Sequence, residues 1–156
     1  MINKYALEDR AIHSFTVEKT LAAARQQVWA VVSDFSNLGW FEAAERVEQV
    51  GEGVGQIRRI YMPGMDQAVE EKLLAIDEAS YSYEYEVLPG AMNVMRDYRV
   101  VATLGDAGEG RTQMRLECSF SGVTADGVAP EDMIALMQDT YDAMLDAIAA
   151  EALSRA

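Results

Sequence analysis

The segment from Pro130 to about Leu153 constrains this chain more than any other. Apolar residues recur there at Ile134, Met137, Tyr141, Leu145, Ile148 and Ala152, a stripe of period 3.6, while Asp139, Asp142, Asp146 and Glu151 lie largely away from it. Pro130 suits the first helical position, and Glu131 and Asp132 oppose the positive end of the helix dipole. A helix of about 24 residues is about 36 Å long, enough to cross a whole sheet. An amphipathic helix of that length needs a broad apolar surface to cover its stripe.

The residues before it supply one. Residues 13–21, HSFTVEKTL, suit a first strand. Ala24–Asp34 has apolar residues at 28, 29, 31 and 32 and reads as a short amphipathic helix, and FSNLGWF (35–41) as a turn with a second short helix. Strand-like segments follow near 45–50, 55–62, 68–78, 81–88, 95–105 and 111–121, separated by GEGVG (51–55), Pro63-Gly64, Glu78–Ser80, Pro89-Gly90 and GDAGEG (105–110). Links this short favour an antiparallel meander, because parallel strands need long crossovers. One sheet facing one long helix is an α+β layer arrangement. Residues 1–12 carry little pattern and are read as an arm or short helix, leaving 13–156 as a single domain.

Composition narrows the function. With half of 156 residues hydrophobic and 25% charged, the chain can bury one core and is not of the disordered class. Twenty-six acids against thirteen bases leave a formal charge of −13, which disfavours nucleic acid and anionic membrane surfaces as partners. The N-terminal MINKYALEDRAI lacks the apolar centre of a signal peptide, and no apolar run approaches a membrane span, so a cytoplasmic protein without stable membrane association is expected. One cysteine, Cys118, and one histidine, His13, argue against a zinc site, and no metal or cofactor is expected. GEGVG is followed by the strand-like QIRRIYM rather than a helix, so it reads as a turn and not a phosphate cradle.

Several other candidates carry two readings. If the turn centres between Gly64 and Met65, paired residue numbers sum to 129, so Arg58 faces Glu71 and Arg59 faces Glu70 on the opposite side. The Arg58–Glu71 pair is either sheet decoration or a charged group that orients a ligand. Tyr81, Tyr83 and Tyr85 alternate along one strand and, with Tyr98 and Tyr141, either pack the core or line a pocket with hydroxyl donors. Met62, Met65, Met92 and Met95 flank the two Pro-Gly loops, and either pack them or form an apolar lip. His13 has no nucleophile or base assignable beside it and reads as an end-of-strand residue. Cys118 alternates with Met114, Leu116 and Phe120, as a buried, inert thiol does. Trp29 reads as core, and Trp40 as core or cavity rim.

The order and spacing of Val28-Trp29, Ser33-Asp34-Phe35, Trp40, Val54-Gly55, Arg58, Glu71, Leu73, Asp77, Tyr141 and Leu145 carry a resemblance across residues 14–150. The chain resembles the helix-grip superfamily of START domains, birch-pollen-allergen proteins and bacterial polyketide cyclase/dehydratase-like proteins. The resemblance implies a curved seven-stranded antiparallel sheet wrapped around the C-terminal helix, with two short helices after the first strand and an apolar cavity between sheet and helix. It puts the Arg58–Glu71 side inward, and it matches Tyr61–Gln67 and Leu88–Met95 to the gate loops of the hormone-receptor members in position, though not in motif. The candidate ligand-binding residues are then Trp40, Arg58, Glu71, Leu73, Tyr83, Tyr85, Tyr98, Leu116, Ile134, Met137, Tyr141 and Leu145. The leading expectation is a binder of a small hydrophobic or amphipathic molecule of lipid, polyketide or aromatic type, oriented by the Arg58 fork through a carboxylate, enolate or polarised carbonyl. An alternative is a cyclase or dehydratase in which Glu71 or a tyrosine moves protons and Arg58 stabilises an enolate; no catalytic motif marks it. A third is a protein-interaction module, which the acid-rich back of the last helix disfavours.

Overall fold

A computed structural model describes residues 11–156. The expected N-terminal arm or helix falls almost wholly outside them. The elements are β1 (His13–Leu21), α1 (Arg25–Val32), β2 (Arg46–Val50), β3 (Ile57–Tyr61), β4 (Val69–Asp77), β5 (Ser82–Val87), β6 (Met95–Arg96), β7 (Arg99–Gly108), β8 (Arg111–Phe120), β9 (Gly122–Val123) and α2 (Pro130–Ser154). Seven strands form one antiparallel sheet in the order β1-β8-β7-β5-β4-β3-β2, and β6 pairs with β9 in a separate ribbon. No helix among the described residues is long and apolar enough to cross a membrane.

Alternation decides which face of the sheet is the core. Along β8, Thr112, Met114, Leu116, Cys118 and Phe120 are buried while the residues between them are more exposed, and β7 buries Val100, Ala102 and Leu104 by the same period of two. Helix α2 lays Tyr141, Leu145, Ile148 and Ala152 on this face. Its backbone comes closest to β1 and α1. Lys19 on β1 adds exposed ion pairs to Asp142 (3.0 Å) and Asp146 (2.8 Å) on the helix. Pro130 opens the helix, and the Asp132 carboxylate accepts the Ala129 N–H at 3.2 Å, satisfying one donor before the first turn.

The β3–β4 hairpin has the register of the sequence reading: Arg58 pairs with Glu71 and Arg59 with Glu70. Its turn needs a residue at positive φ, which Gly64 supplies at 77°, after Pro63 and within the Met65 N–H to Met62 carbonyl bond of 3.0 Å. Two expectations are corrected. Phe35–Phe41 is a succession of turns, closed by the Asn37 N–H to Asp34 carbonyl and Phe41 N–H to Leu38 carbonyl bonds, and not a second short helix. The strand expected over 95–105 breaks at Asp97, whose φ of 52° ends β6 before β7 begins. Ser121 holds that break by donating to the Asp97 carboxylate at 2.6 Å. Leu74 is a bulge in β4, after which the pairing with β5 moves by one residue.

Candidate functional site

Helix α2 closes on β1 and α1 but stands away from β3, β4 and β5, and the gap is a cavity of about 290 Å³. The sheet side of its wall is Arg58 and Ile60 from β3, Met62 beyond it, Val69 and Glu71 from β4, and Tyr83 and Tyr85 from β5. The helix side is Met137, Thr140, Tyr141, Met144 and Ile148. Val31 and Val32 of α1 close one end, and the turns carrying Asp34, Phe35, Asn37, Leu38, Trp40 and Phe41 form the rim. The wall is predominantly apolar. Its volume lies near the lower end of the roughly 300–1,000 Å³ usual for small-molecule sites, too small for a two-chain lipid.

The polar end is built around Arg58, which is 8% exposed. Its Nε donates to Glu71 Oε1 at 2.7 Å and its Nη1 to the Phe35 carbonyl at 2.8 Å. The Phe35 and Tyr85 rings cover the guanidinium, at 4.0 and 4.9 Å from its carbon. Burial works most strongly against the charge, but Glu71, Tyr85 and Tyr83 together outweigh this and raise the Arg58 pKa, so the group stays protonated. Nη2 makes no hydrogen bond among the described residues.

Four tyrosines crowd the same region. Tyr83 and Tyr85 stack with their ring centres 6.2 Å apart, and neither hydroxyl has a hydrogen-bond partner among the described residues. Burial pushes Tyr83 up to about 12, with Arg58 opposing in part, and pushes Tyr85 well above the ordinary tyrosine range. The Tyr141 and Tyr98 hydroxyls bond each other at 2.7 Å, and burial raises both. These phenols are therefore neutral donors and acceptors at any physiological pH. Cys118, beside Tyr98, is held at about 12 by burial, as an inert thiol would be.

Of the twelve residues expected at a ligand site, Trp40, Arg58, Glu71, Tyr83, Tyr85, Met137 and Tyr141 line this cavity. Leu73, Tyr98, Leu116 and Leu145 are buried core residues that do not reach it, and Ile134 packs against the edge of the core. The reason is the tilt of the gap. Near β1 and β8 the helix and α1 sit close to the sheet, so Leu116 and Leu145 fill that space, while Tyr98 stands behind Tyr141. The Leu88–Met95 loop also misses the cavity: Leu88, Pro89, Gly90 and Asn93 border a separate, more polar recess of about 330 Å³ with Arg96, Asp97 and Thr124. His13 packs its ring, tilted by 32°, against Phe120 with centres 5.2 Å apart, away from the cavity.

Sequence reasoning found Trp40 but missed the rest of the rim and part of the wall. Ile60 and Val69 pair directly and lie two residues from Arg58 and Glu71, so the period of two could have found them. Met144 and Ile148 extend the helical stripe and were equally accessible. Val31, Val32 and the rim turns carry no periodic signal that points at a cavity.

A family model described as polyketide cyclase / dehydrase and lipid transport matches residues 13–152. The chain belongs to this family. The helix-grip resemblance read from the sequence is thereby shown, and solved structures agree on the fold of this polyketide cyclase/dehydrase and lipid-transport family member. Ara h 8.0201 superposes with a TM-score of 0.74 at 22% identity, covering 92% of this chain and 99% of that one. An uncharacterized protein from Bacillus thuringiensis gives 0.76 at 20% identity, covering 90% and 99%. Norcoclaurine synthase from Thalictrum flavum, solved with dopamine and hydroxybenzaldehyde, gives 0.73 at 18% identity, covering 100% and 95%. At these identities the likeness concerns the fold alone. No curated protein matches the chain.

Proposed function

We propose that this protein binds one small, largely apolar molecule in the cavity between β3–β5 and α2, with Arg58 at its polar end. The observation that carries the reading is a preformed apolar gap of about 290 Å³ holding a buried, paired guanidinium with an unpartnered nitrogen. Apolar walls supply affinity and a few fixed polar groups supply orientation. The binding residues among those expected are Trp40, Arg58, Glu71, Tyr83, Tyr85, Met137 and Tyr141, joined by the Phe35–Phe41 rim and Met144. Residues 13–156 together form the binding unit. Support comes from the family description, which includes lipid transport, and from the norcoclaurine synthase neighbour, which was solved with small aromatic compounds.

Native mass spectrometry of freshly purified protein, followed by organic extraction, tests this. The expected result is a species heavier than the bare chain that releases one small apolar compound. A bare chain that also fails to take up small aromatic compounds from a screening mixture would contradict the reading. Conversion of a bound compound during incubation would instead favour cyclase or dehydratase chemistry, with Glu71 or a tyrosine as the proton-moving group.

A further inference from the structure

The charges along the cavity wall discriminate between ligand head groups. Among the described residues that line the cavity, Arg58 is the one cation, against Glu71 within the wall and Asp34 exposed at the rim. Its charge is already balanced by Glu71 at 2.7 Å, with both side chains nearly buried, at 10% and 13% exposed. Its geometry is also partly committed. Nε lies on Glu71 and Nη1 on the Phe35 carbonyl, so the side-on two-bond grip through Nε, by which arginine holds a carboxylate, is taken. Rings cover the guanidinium, leaving its Nη2 edge for a ligand. The Tyr83 and Tyr85 hydroxyls beside it add neutral hydrogen-bonding groups without partners among the described residues.

On the reading that this cavity binds a ligand, we infer that the ligand's polar end is a neutral oxygen acceptor on a ring system, such as a ketone, quinone or ester carbonyl, and that the site disfavours the carboxylate of the same skeleton. A carbonyl oxygen accepts from Nη2 and a tyrosine hydroxyl with no change in the charge of the buried end. A carboxylate brings a second negative charge beside Glu71 into a space with no free cation among the described residues. It must also approach a chain with a net charge of −13. The ring requirement follows from the small volume and the aromatic walls of Phe35, Trp40, Tyr83 and Tyr85.

Three probes of one skeleton decide the matter by fluorescence titration of the wild-type protein at neutral pH: naphthalene, acetylnaphthalene and naphthoate. The ketone should bind about tenfold or more tighter than the hydrocarbon, the gain expected for a hydrogen bond from a charged donor. Naphthoate should bind at least about tenfold more weakly than the ketone. Naphthoate equal to or tighter than acetylnaphthalene, with naphthalene still bound, overturns this inference and leaves the cavity reading standing. Failure of all three to bind overturns both. In the double variant Arg58→Met/Glu71→Met, which leaves no buried charge, the preference for ketone over hydrocarbon should disappear. Its persistence removes Arg58 from the account.

Discussion

The β3–β4 hairpin contains an internal control for what burial does to an ion pair. Arg58–Glu71 and Arg59–Glu70 are neighbouring pairs in one register, on opposite faces. The first is a 2.7 Å contact between side chains 10% and 13% exposed; the second is 3.5 Å between side chains 37% and 38% exposed. Glu71→Met leaves the Arg58 charge buried without its carboxylate, and removing one partner of a buried pair typically costs about 3–5 kcal/mol. The Phe35 carbonyl and the two rings remain to Arg58, so the lower end, about 3 kcal/mol, is expected. Glu70→Met breaks a solvated pair and should cost about 0–1 kcal/mol. For a chain of this size these figures correspond to losses of about 6–12 °C and at most about 4 °C in Tm. Replacing both partners, Arg58→Met/Glu71→Met, should return stability to within about 1 kcal/mol of the wild type, because no charge is then left unpaired. Urea unfolding followed by circular dichroism, with thermal melts alongside, measures all three variants. Equal losses for Glu71→Met and Glu70→Met, or a double variant no better than Glu71→Met, would refute the claim that the Arg58 charge is held inside by Glu71.

Three further outcomes follow from the core. Leu145→Ala removes a fully buried side chain where the helix sits close to the sheet, and should cost about 2–5 kcal/mol in urea unfolding, against well under 1 kcal/mol for the exposed Leu136→Ala. Tyr83 ionises at about 12 in the fold and near 10 in the unfolded chain, so the unfolded state loses its proton first as pH rises. The stability this tyrosine contributes is complete below pH 10 and lost between about 10 and 12; the phenolate absorbance of Tyr83 should therefore appear together with unfolding, and its appearance in the folded protein near pH 10, read as the difference from Tyr83→Phe, would contradict the burial. Tyr141→Phe deprives the buried Tyr98 hydroxyl of its 2.7 Å partner and should cost about 1–3 kcal/mol in the same urea assay.

What the sequence made legible follows from where its information is periodic. The stripe from Ile134 to Ala152 specified the helix, and the symmetry of the Pro63-Gly64 turn specified the pairing of Arg58 with Glu71, because side-chain faces repeat at 3.6 and 2 residues. Tyr83 and Tyr85 share a buried face for the same reason. Periodicity does not report how far a helix stands from a sheet. Leu116 and Leu145 therefore looked as much like cavity residues as Tyr85 and Tyr141 do, and only the tilt of α2 toward β1 separates them. Apart from Trp40, the rim from Asp34 to Phe41 was illegible for another reason: its conformation rests on single turn bonds, such as Gly39 N–H to Asn37 Oδ1 and Trp40 Nε1 to the Asn37 carbonyl. Asp97 broke a strand that the apolar pattern through 95–105 had joined, since a lone residue at positive φ leaves no mark on that pattern.

On the proposed reading a ligand occupies the gap between β3–β5 and α2, and methionine methyl resonances report on that space directly. Met62, Met137 and Met144 line the cavity, whereas Met114 is fully buried elsewhere in the core and Met65 is exposed. With methyl-labelled methionine and single substitutions to assign each signal, acetylnaphthalene should shift Met62, Met137 and Met144 through ring-current effects and leave Met114 and Met65 in place. Shifts confined to Met65, or no shift at any of the three cavity methionines under saturating ligand, would contradict the account.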